Sequence, residues 1–251
     1  MNIIQKVTQS RYTLKKILEN EWDTSTIADL SNQEIEKMYT VPSSKNKNIA
    51  QFGIASACNF SLQHKFIPTH RIHIIYYNFP EIGKVSSKIT KSACDKVKGL
   101  YTNGLIEQED SLLIIINDSI SESLENSFNE LNISLQSDLE EIEINESIID
   151  EMKKNNYPLQ KKHLRNVHII NINTITNNIM EHRLVPHHKA IRNVSEIDDI
   201  LLKTNCTLSQ LPIILKGDTI SKLLRLSNGD LCEITRSSTK AGTYPFYRVC
   251  R

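Results

Sequence analysis

Glycine is scarce, with 7 in 251 residues, and nowhere do glycines gather into a phosphate-cradling loop. The usual mark of a nucleotide-binding enzyme is therefore missing. The 5 cysteines, Cys58, Cys94, Cys206, Cys232 and Cys250, are odd in number and never spaced as C-x-x-C. That pattern argues against a disulfide framework or a zinc ribbon and for reduced thiols in an intracellular compartment. No Ser, Cys or Thr has the local setting of a nucleophile elbow. No apolar run approaches the roughly 18 residues needed to span a bilayer, and residues 1–11 are polar and amphipathic without a signal-peptide core. Neither secretion nor a membrane anchor is expected. An excess of one charge is also absent, since 30 Lys and Arg offset 29 Asp and Glu for a formal net charge of +1. Attraction to nucleic acid must then come from local patches, and a freestanding DNA-coating protein is not expected. Scarce Gly and Ala beside abundant Ile, Asn and Lys are the bias of an AT-rich genome, which points towards a viral or protist source.

A hydrophobic content of 39% supports a real core in one large domain or two modest ones. Ile3, Ile4, Val7, Leu14, Ile17 and Leu18 predict an amphipathic helix over residues 3–20. Ser31 with Glu34 makes a capping box for a second helix, and residues 42–48 read as a polar connection. Residues 49–60 and 71–77 are expected to be strands. Val85, Ile89, Ala93, Val97 and Tyr101 fall at i, i+4 steps and predict a helix that Asn103-Gly104 stops. The apolar run 112–116 predicts a strand covered on both faces, making residues 71–116 a β-α-β unit with parallel pairing. Ser119 with Glu122 is expected to cap a helix bearing Leu124, Phe128 and Leu131. An acidic and then basic segment, about residues 136–165, reads as an inserted helix and loop. Strands are expected at 167–172 and 175–180. Ser195 with Asp198 is expected to start a helix, Asp218 to cap another that Asn228-Gly229 ends, and 231–236 with 244–250 to pair as strands.

Candidate chemistry is sparse. His182, His187 and His188 are the residue type most used for metals, but adjacent residues of an extended segment point to opposite sides and no partner ligand sits at a useful spacing. No metal or other cofactor is expected. Glu81 and Lys84 after a strand are all that supports an alternative reading, a metal-dependent nuclease on the N-terminal α/β layer. Their spacing does not put both on one strand face. No catalytic residue and no small-molecule substrate are assigned. Lysines around the 84–98 helix, Lys84, Lys88 and Lys91 among them, could face a polyanion.

Three punctuated segments near the end carry the most information. H-x-L-V-P-x-H falls on His182, Leu184, Val185, Pro186 and His188. Q-L-P falls on Gln210, Leu211 and Pro212, with G-D at Gly217 and Asp218. The last, R-x-x-x-x-A-G-x-Y-x-x-Y-R, falls on Arg236, Ala241, Gly242, Tyr244, Tyr247 and Arg248. Over about residues 180–249 this order resembles the assembly domain of the fifth subunit of eukaryotic-type multisubunit RNA polymerases, whose tail corresponds to a small subunit of the archaeal polymerase. Residues 1 to about 133, including Phe79-Pro80-Glu81, are more loosely similar to the eukaryotic subunit's jaw domain.

The resemblance implies a fold of two parts, an N-terminal α/β jaw domain (a β-α-β layer, residues 1–178) and a small α+β C-terminal assembly domain (179–251). It implies a non-catalytic subunit that docks on the largest polymerase subunit and forms part of the lower jaw near downstream DNA, which it meets only within the complex. Partner docking is implied for His182, Leu184, Val185, Pro186, His188, Leu211, Pro212, Arg236, Ala241, Gly242, Tyr244, Tyr247 and Arg248. The family's helix start near DNA falls on Ser121 and Ser123, where a Thr-Pro-Ser run is replaced by Ser121-Glu122-Ser123. Ser237 and Thr219 also stand where the family has proline. The nucleus is the expected location if the source is cellular, and the virion or a cytoplasmic viral factory if it is viral.

Overall fold

The computed structural model describes residues 1–40, 52–86, 88–240 and 242–251. Helices α1 (Ile3–Leu18) and α2 (Asn32–Thr40) lead into a first sheet of β1 (Phe60–Gln63), β2 (Arg71–Tyr77), β3 (Ser111–Ile116) and β4 (Val167–Asn171), ordered β1-β2-β3-β4. β1 runs antiparallel to β2, while β2, β3 and β4 are parallel. The crossovers are α3 (Ser92–Thr102) and then α4 (Glu122–Glu140) with α5 (Glu146–Lys154). All six residues of β3 are buried, as expected of a parallel strand covered on both sides. Ile72, Ile74, Tyr76, Leu113, Ile115 and Ile170 meet α1 and α2 on one face. Ile75, Tyr77, Leu112, Ile114, Ile116 and Ile169 meet α3 and α4 on the other. Each such side chain, fully buried, contributes roughly 1.5–3 kcal/mol.

α1 starts at Asn2, whose side chain and that of Gln5 cap each other's backbone N–H groups, and it buries Ile4, Val7, Leu14 and Leu18. Ser31 and Glu34 form the expected capping box ahead of α2. Residues 42–48 lie outside the described residues, as do 49–51. The rest of the strand expected over 49–60 is mostly a 3-10 turn, Ile54–Cys58, entered through Gly53 at φ 111. That left-handed conformation breaks an extended run and is open to glycine.

The helix expected from residue 85 begins only at Ser92, and Val85 is 94% exposed. Ser and Thr compete with the helix for backbone hydrogen bonds. Here Thr90 and Ser92 bond each other, and Ser86 accepts from the Asn117 amide at 3.0 Å. Ser121, not Ser119, caps α4, accepting from the Leu124 N–H. α4 then runs on to Glu140, so Leu139 packs as part of it. Lys161 Nζ donates to the Leu139, Glu140 and Ile142 carbonyls that end this helix, where a cation also meets the negative end of the helix dipole.

The strand expected over 175–180 is replaced by α6 (Ile172–Ile175) and a 3-10 turn, Ile179–Glu181. Asn171 and Asn178 cap them through their side-chain oxygens, and such capping overrides the β-branched composition. Beyond this point lie β5 (His187–Ile191), α7 (Val194–Thr204), β6 (Ile213–Ile214), α8 (Thr219–Leu224), β7 (Leu231–Ser238) and β8 (Gly242–Cys250), with sheet order β5-β7-β8-β6. β6 is parallel to β8 and the other pairs are antiparallel. Asn193, rather than Ser195, caps α7. Asp218 caps α8 as expected, but α8 ends at Arg225, whose φ of 52 is left-handed. Ile197 and Ile200 of α7 cover Ile191, Leu231 and Val249. Leu223 of α8 joins the N-terminal core instead, so the two sheets share buried surface.

Candidate docking interface

The residues expected to dock a partner fall into two groups. Register sets His187 opposite Thr235 and Arg236 opposite Tyr244, so the segment from His182 to His188 lies at the same end of the sheet as Arg236, Gly242 and Tyr244. A turn shapes its start. The Leu184 N–H meets His182 Nδ1 at 3.2 Å, and the Val185 N–H donates to the His182 carbonyl at 2.8 Å. Pro186 presents its carbonyl to His188 Nδ1 at 2.6 Å. Leu184 is left 76% exposed. Gly242 has φ 67 at the end of the hairpin, a conformation glycine adopts without strain. Ala241 lies outside the described residues.

Further along β8 the second group sits beside β6. Tyr247 and Leu211 pack on the α7 side. Arg248 turns to the opposite face, its Nη1 on the Ile213 carbonyl at 3.4 Å, while the Arg236 guanidinium lies 3.9 Å from the Phe246 ring centroid. The Pro212 carbonyl accepts from the Val249 N–H. Leu202 and Leu215, which sequence reasoning did not single out, are 81% and 67% exposed.

The residues expected near nucleic acid come together differently. Lys84, Lys88 and Lys91 are exposed on the loop after β2, and Lys84 pairs with Glu81. Ser121 and Ser123 lie at the start of α4, after β3. The Asn117 amide donates to Ser86 and the Asn171 amide to the Asp118 carbonyl. All five positions thus lie at the carboxyl ends of the parallel strands, the end of an open α/β sheet where ligands bind. Among the described residues no group of three His, Cys, Asp or Glu is placed to hold a metal, and no helix is long and apolar enough to cross a membrane.

A further set of charges, missed in the sequence, ties the two sheets together. The Asp230 side chain is fully buried, with His163 Nε2 at 2.8 Å, Lys162 Nζ at 2.9 Å and Arg192 Nε at 3.8 Å. Its Oδ2 also accepts from the Ser227 N–H at 2.9 Å. Glu21, at the end of α1, pairs with both Arg192 and Arg225, and the Arg225 guanidinium lies 4.7 Å from the Trp22 ring centroid. Asn166 bridges by donating to Ser227 Oγ at 2.9 Å while accepting from Asn132. Burial acts to raise the Asp230 carboxyl, but the His163 hydrogen bond and the charges of His163, Lys162 and Arg192 outweigh it and hold it below the ordinary carboxylate range. Burial lowers both Arg192 and Arg225 to about 10.

Residues 177–250 match the family described as RNA polymerase Rpb5, C-terminal domain. A DNA-directed RNA polymerase subunit Rpo5 from Methanosphaera stadtmanae is 40% identical over 73 residues, which is 29% of this chain and 94% of that relative. Relatives of the same name from Pyrococcus abyssi and Aeropyrum pernix are 43% and 39% identical over 71 and 70 residues, each 28% of this chain and 85% and 77% of theirs. These matches cover the module that carries both docking groups and leave the first sheet unmatched. Through that module, the chain belongs to the Rpb5 and Rpo5 family of DNA-directed RNA polymerase subunits.

Proposed function

We propose that this chain is a non-catalytic subunit of a multisubunit DNA-directed RNA polymerase, docking on the largest subunit through its C-terminal module. The observation that carries this is the near-complete coverage of the Rpo5 relative by residues that fold as a separate sheet with exposed apolar side chains. In this reading the first sheet, residues 1–178, is part of the lower jaw. The strand ends bearing Lys84, Lys88, Lys91, Ser121 and Ser123 then stand beside downstream DNA. The subunit works where its polymerase transcribes, inside the cell. Nothing in the geometry favours the metal-dependent nuclease, whose Glu81 and Lys84 pair with each other on an exposed turn.

Leu184→Asp combined with Tyr247→Asp is expected to lower recovery of the largest subunit in a pull-down by about tenfold or more, because charge placed in a desolvated contact costs several kcal/mol. Undiminished recovery would remove these residues from the interface. In the assembled polymerase, downstream duplex is expected to crosslink within residues 84–123. Crosslinks confined to other subunits would take the first sheet out of the DNA path.

A further inference from the structure

The two edges of the C-terminal sheet differ. β6 has only two residues, and its surroundings are tied down: the Lys216 N–H donates to the Arg251 carbonyl, the Arg251 N–H to the Ile214 carbonyl, and Arg248 to the Ile213 carbonyl. β5 has five residues and pairs with β7 alone. Among the described residues no backbone hydrogen bond reaches its other side. Successive residues of an antiparallel strand turn their N–H and C=O groups to opposite sides. Two or three residues of β5 therefore hold unpaired donors and acceptors. His187 and Lys189 are exposed, and His188 and Ala190 only half-buried. Proteins ordinarily protect such an edge with charged side chains, proline, a bulge or a covering element; β5 has no proline within it, and its one charged side chain, Lys189, is held by Glu196.

The strand lines a cleft of about 370 Å³ between the two sheets. The same cleft is lined by Ile17 of α1 and by the rings of Phe66 and Tyr157, stacked with centroids 4.7 Å apart and planes at 16°. Leu223 and Leu224 line the same cleft. An alternating row of N–H and C=O groups is satisfied by another extended backbone, which would lie about 4.8 Å from β5. A second copy of this chain would bring its own Phe66 and Tyr157 wall against this one, which disfavours symmetric pairing of two β5 edges. A single extended segment from a different chain meets no such obstacle. The apolar wall would take side chains from alternate positions of that segment.

We propose that β5 receives an extended segment of another polymerase subunit as a fifth strand, with the segment's apolar side chains set against Ile17, Phe66 and Tyr157. The inference rests on the reading of this chain as a polymerase subunit and adds the mode by which it is held. Half of the binding cleft is contributed by the first sheet and its helices. The family match spans residues 177–250, beyond those elements, so in this chain the docking surface extends past the matched module.

Two proline variants and one exchange measurement test the pairing in the full chain. Lys189→Pro and Ala190→Pro remove N–H groups on opposite sides of β5, so one breaks a bond to β7 and the other removes an outward donor. The outward variant is the one with the higher Tm. It is expected to fold and to lose about tenfold in co-purification with polymerase. Amides within residues 187–191 are expected to exchange about tenfold more slowly in the assembled wild type than in the free subunit. If both variants unfold, the exchange alone decides: slowing supports the pairing and unchanged exchange overturns it. Wild-type assembly by the folded outward variant, with unchanged exchange, overturns the pairing while leaving polymerase membership intact. Protection of the same amides in the free chain as its concentration rises would assign the edge to a second copy and overturn the proposal. A wild-type chain that brings down no polymerase subunit overturns both readings.

Discussion

Replacing Asp230 with alanine is expected to destabilise the fold by about 3–5 kcal/mol, the cost of removing one partner from a buried ion pair. The carboxylate is fully buried among Lys162, His163 and Arg192, and it holds the Ser227 N–H as well. Without it, Arg192 and Arg225 remain as neighbouring buried cations with only Glu21 between them. Asp230→Asn keeps the shape and an acceptor for Ser227 but not the charge, so a smaller loss is expected. The cost falls on the junction. Lys162 and His163 precede the first sheet's last strand, Glu21 follows α1, and Arg192, Arg225 and Asp230 flank β5, α8 and β7 of the C-terminal module. Wild type should therefore unfold in one transition and Asp230→Ala in two, as denaturant melts followed by circular dichroism and Trp22 fluorescence would show. A loss below about 1 kcal/mol with one transition retained, well under the range for a broken buried pair, would mean that the charges do not join the sheets.

Acid should unfold the chain well before its carboxylates are exhausted. The buried imidazoles of His64, His70 and His168 all resist protonation. Burial, with the charge of Arg225 second, lowers His64 to about 3. Burial likewise holds His70 and His168 well below the ordinary histidine range. The unfolded chain takes up these protons near pH 6.5, whereas the folded chain resists them, so stability is complete above that pH and falls as the pH drops. For His64 alone the cost at pH 4.5 is about 3 kcal/mol, and His70 and His168 add to it in the same direction, against the roughly 5–15 kcal/mol that a folded domain possesses. Loss of the native Trp22 fluorescence is expected as the pH falls below the ordinary histidine range. Trp22 is a close reporter, since its ring lies 5.2 Å from those of both His64 and His70. Native structure persisting at pH 3 would show that these histidines accept protons without leaving the core.

The parallel strands of the first sheet were legible in the sequence because cover on both faces demands a nearly continuous apolar run, which residues 72–77 and 112–116 supply; β1 was not, since the strand expected over 49–60 meets it only at Phe60. The helix expected from Val85 failed because i, i+4 spacing cannot distinguish a helix from a loop that happens to carry Val85 and Ile89. Ser86 between them bonds the Asn117 amide instead. The strand expected at 175–180 failed for a related reason. Asn171 and Asn178 cap short helical turns through geometry that composition does not reveal. The docking motifs were legible because proline, glycine and histidine sit at turns with few alternatives. That they split between two ends of β8 was not, since strand register alone decides it. The charges at the junction were the least visible of all, because Glu21 and Arg225 are 204 residues apart in the chain.

The central claim is that this chain is built into a transcribing polymerase and is held there by its C-terminal module. Its most direct test is mass spectrometry of the native complex recovered from cells through a tag on this chain. The account predicts polymerase subunits in equal stoichiometry with it, the largest among them, and their loss when residues 179–251 are deleted. Recovery of the chain free of any polymerase subunit, or nuclease activity in the isolated chain that Glu81→Gln abolishes, would contradict it.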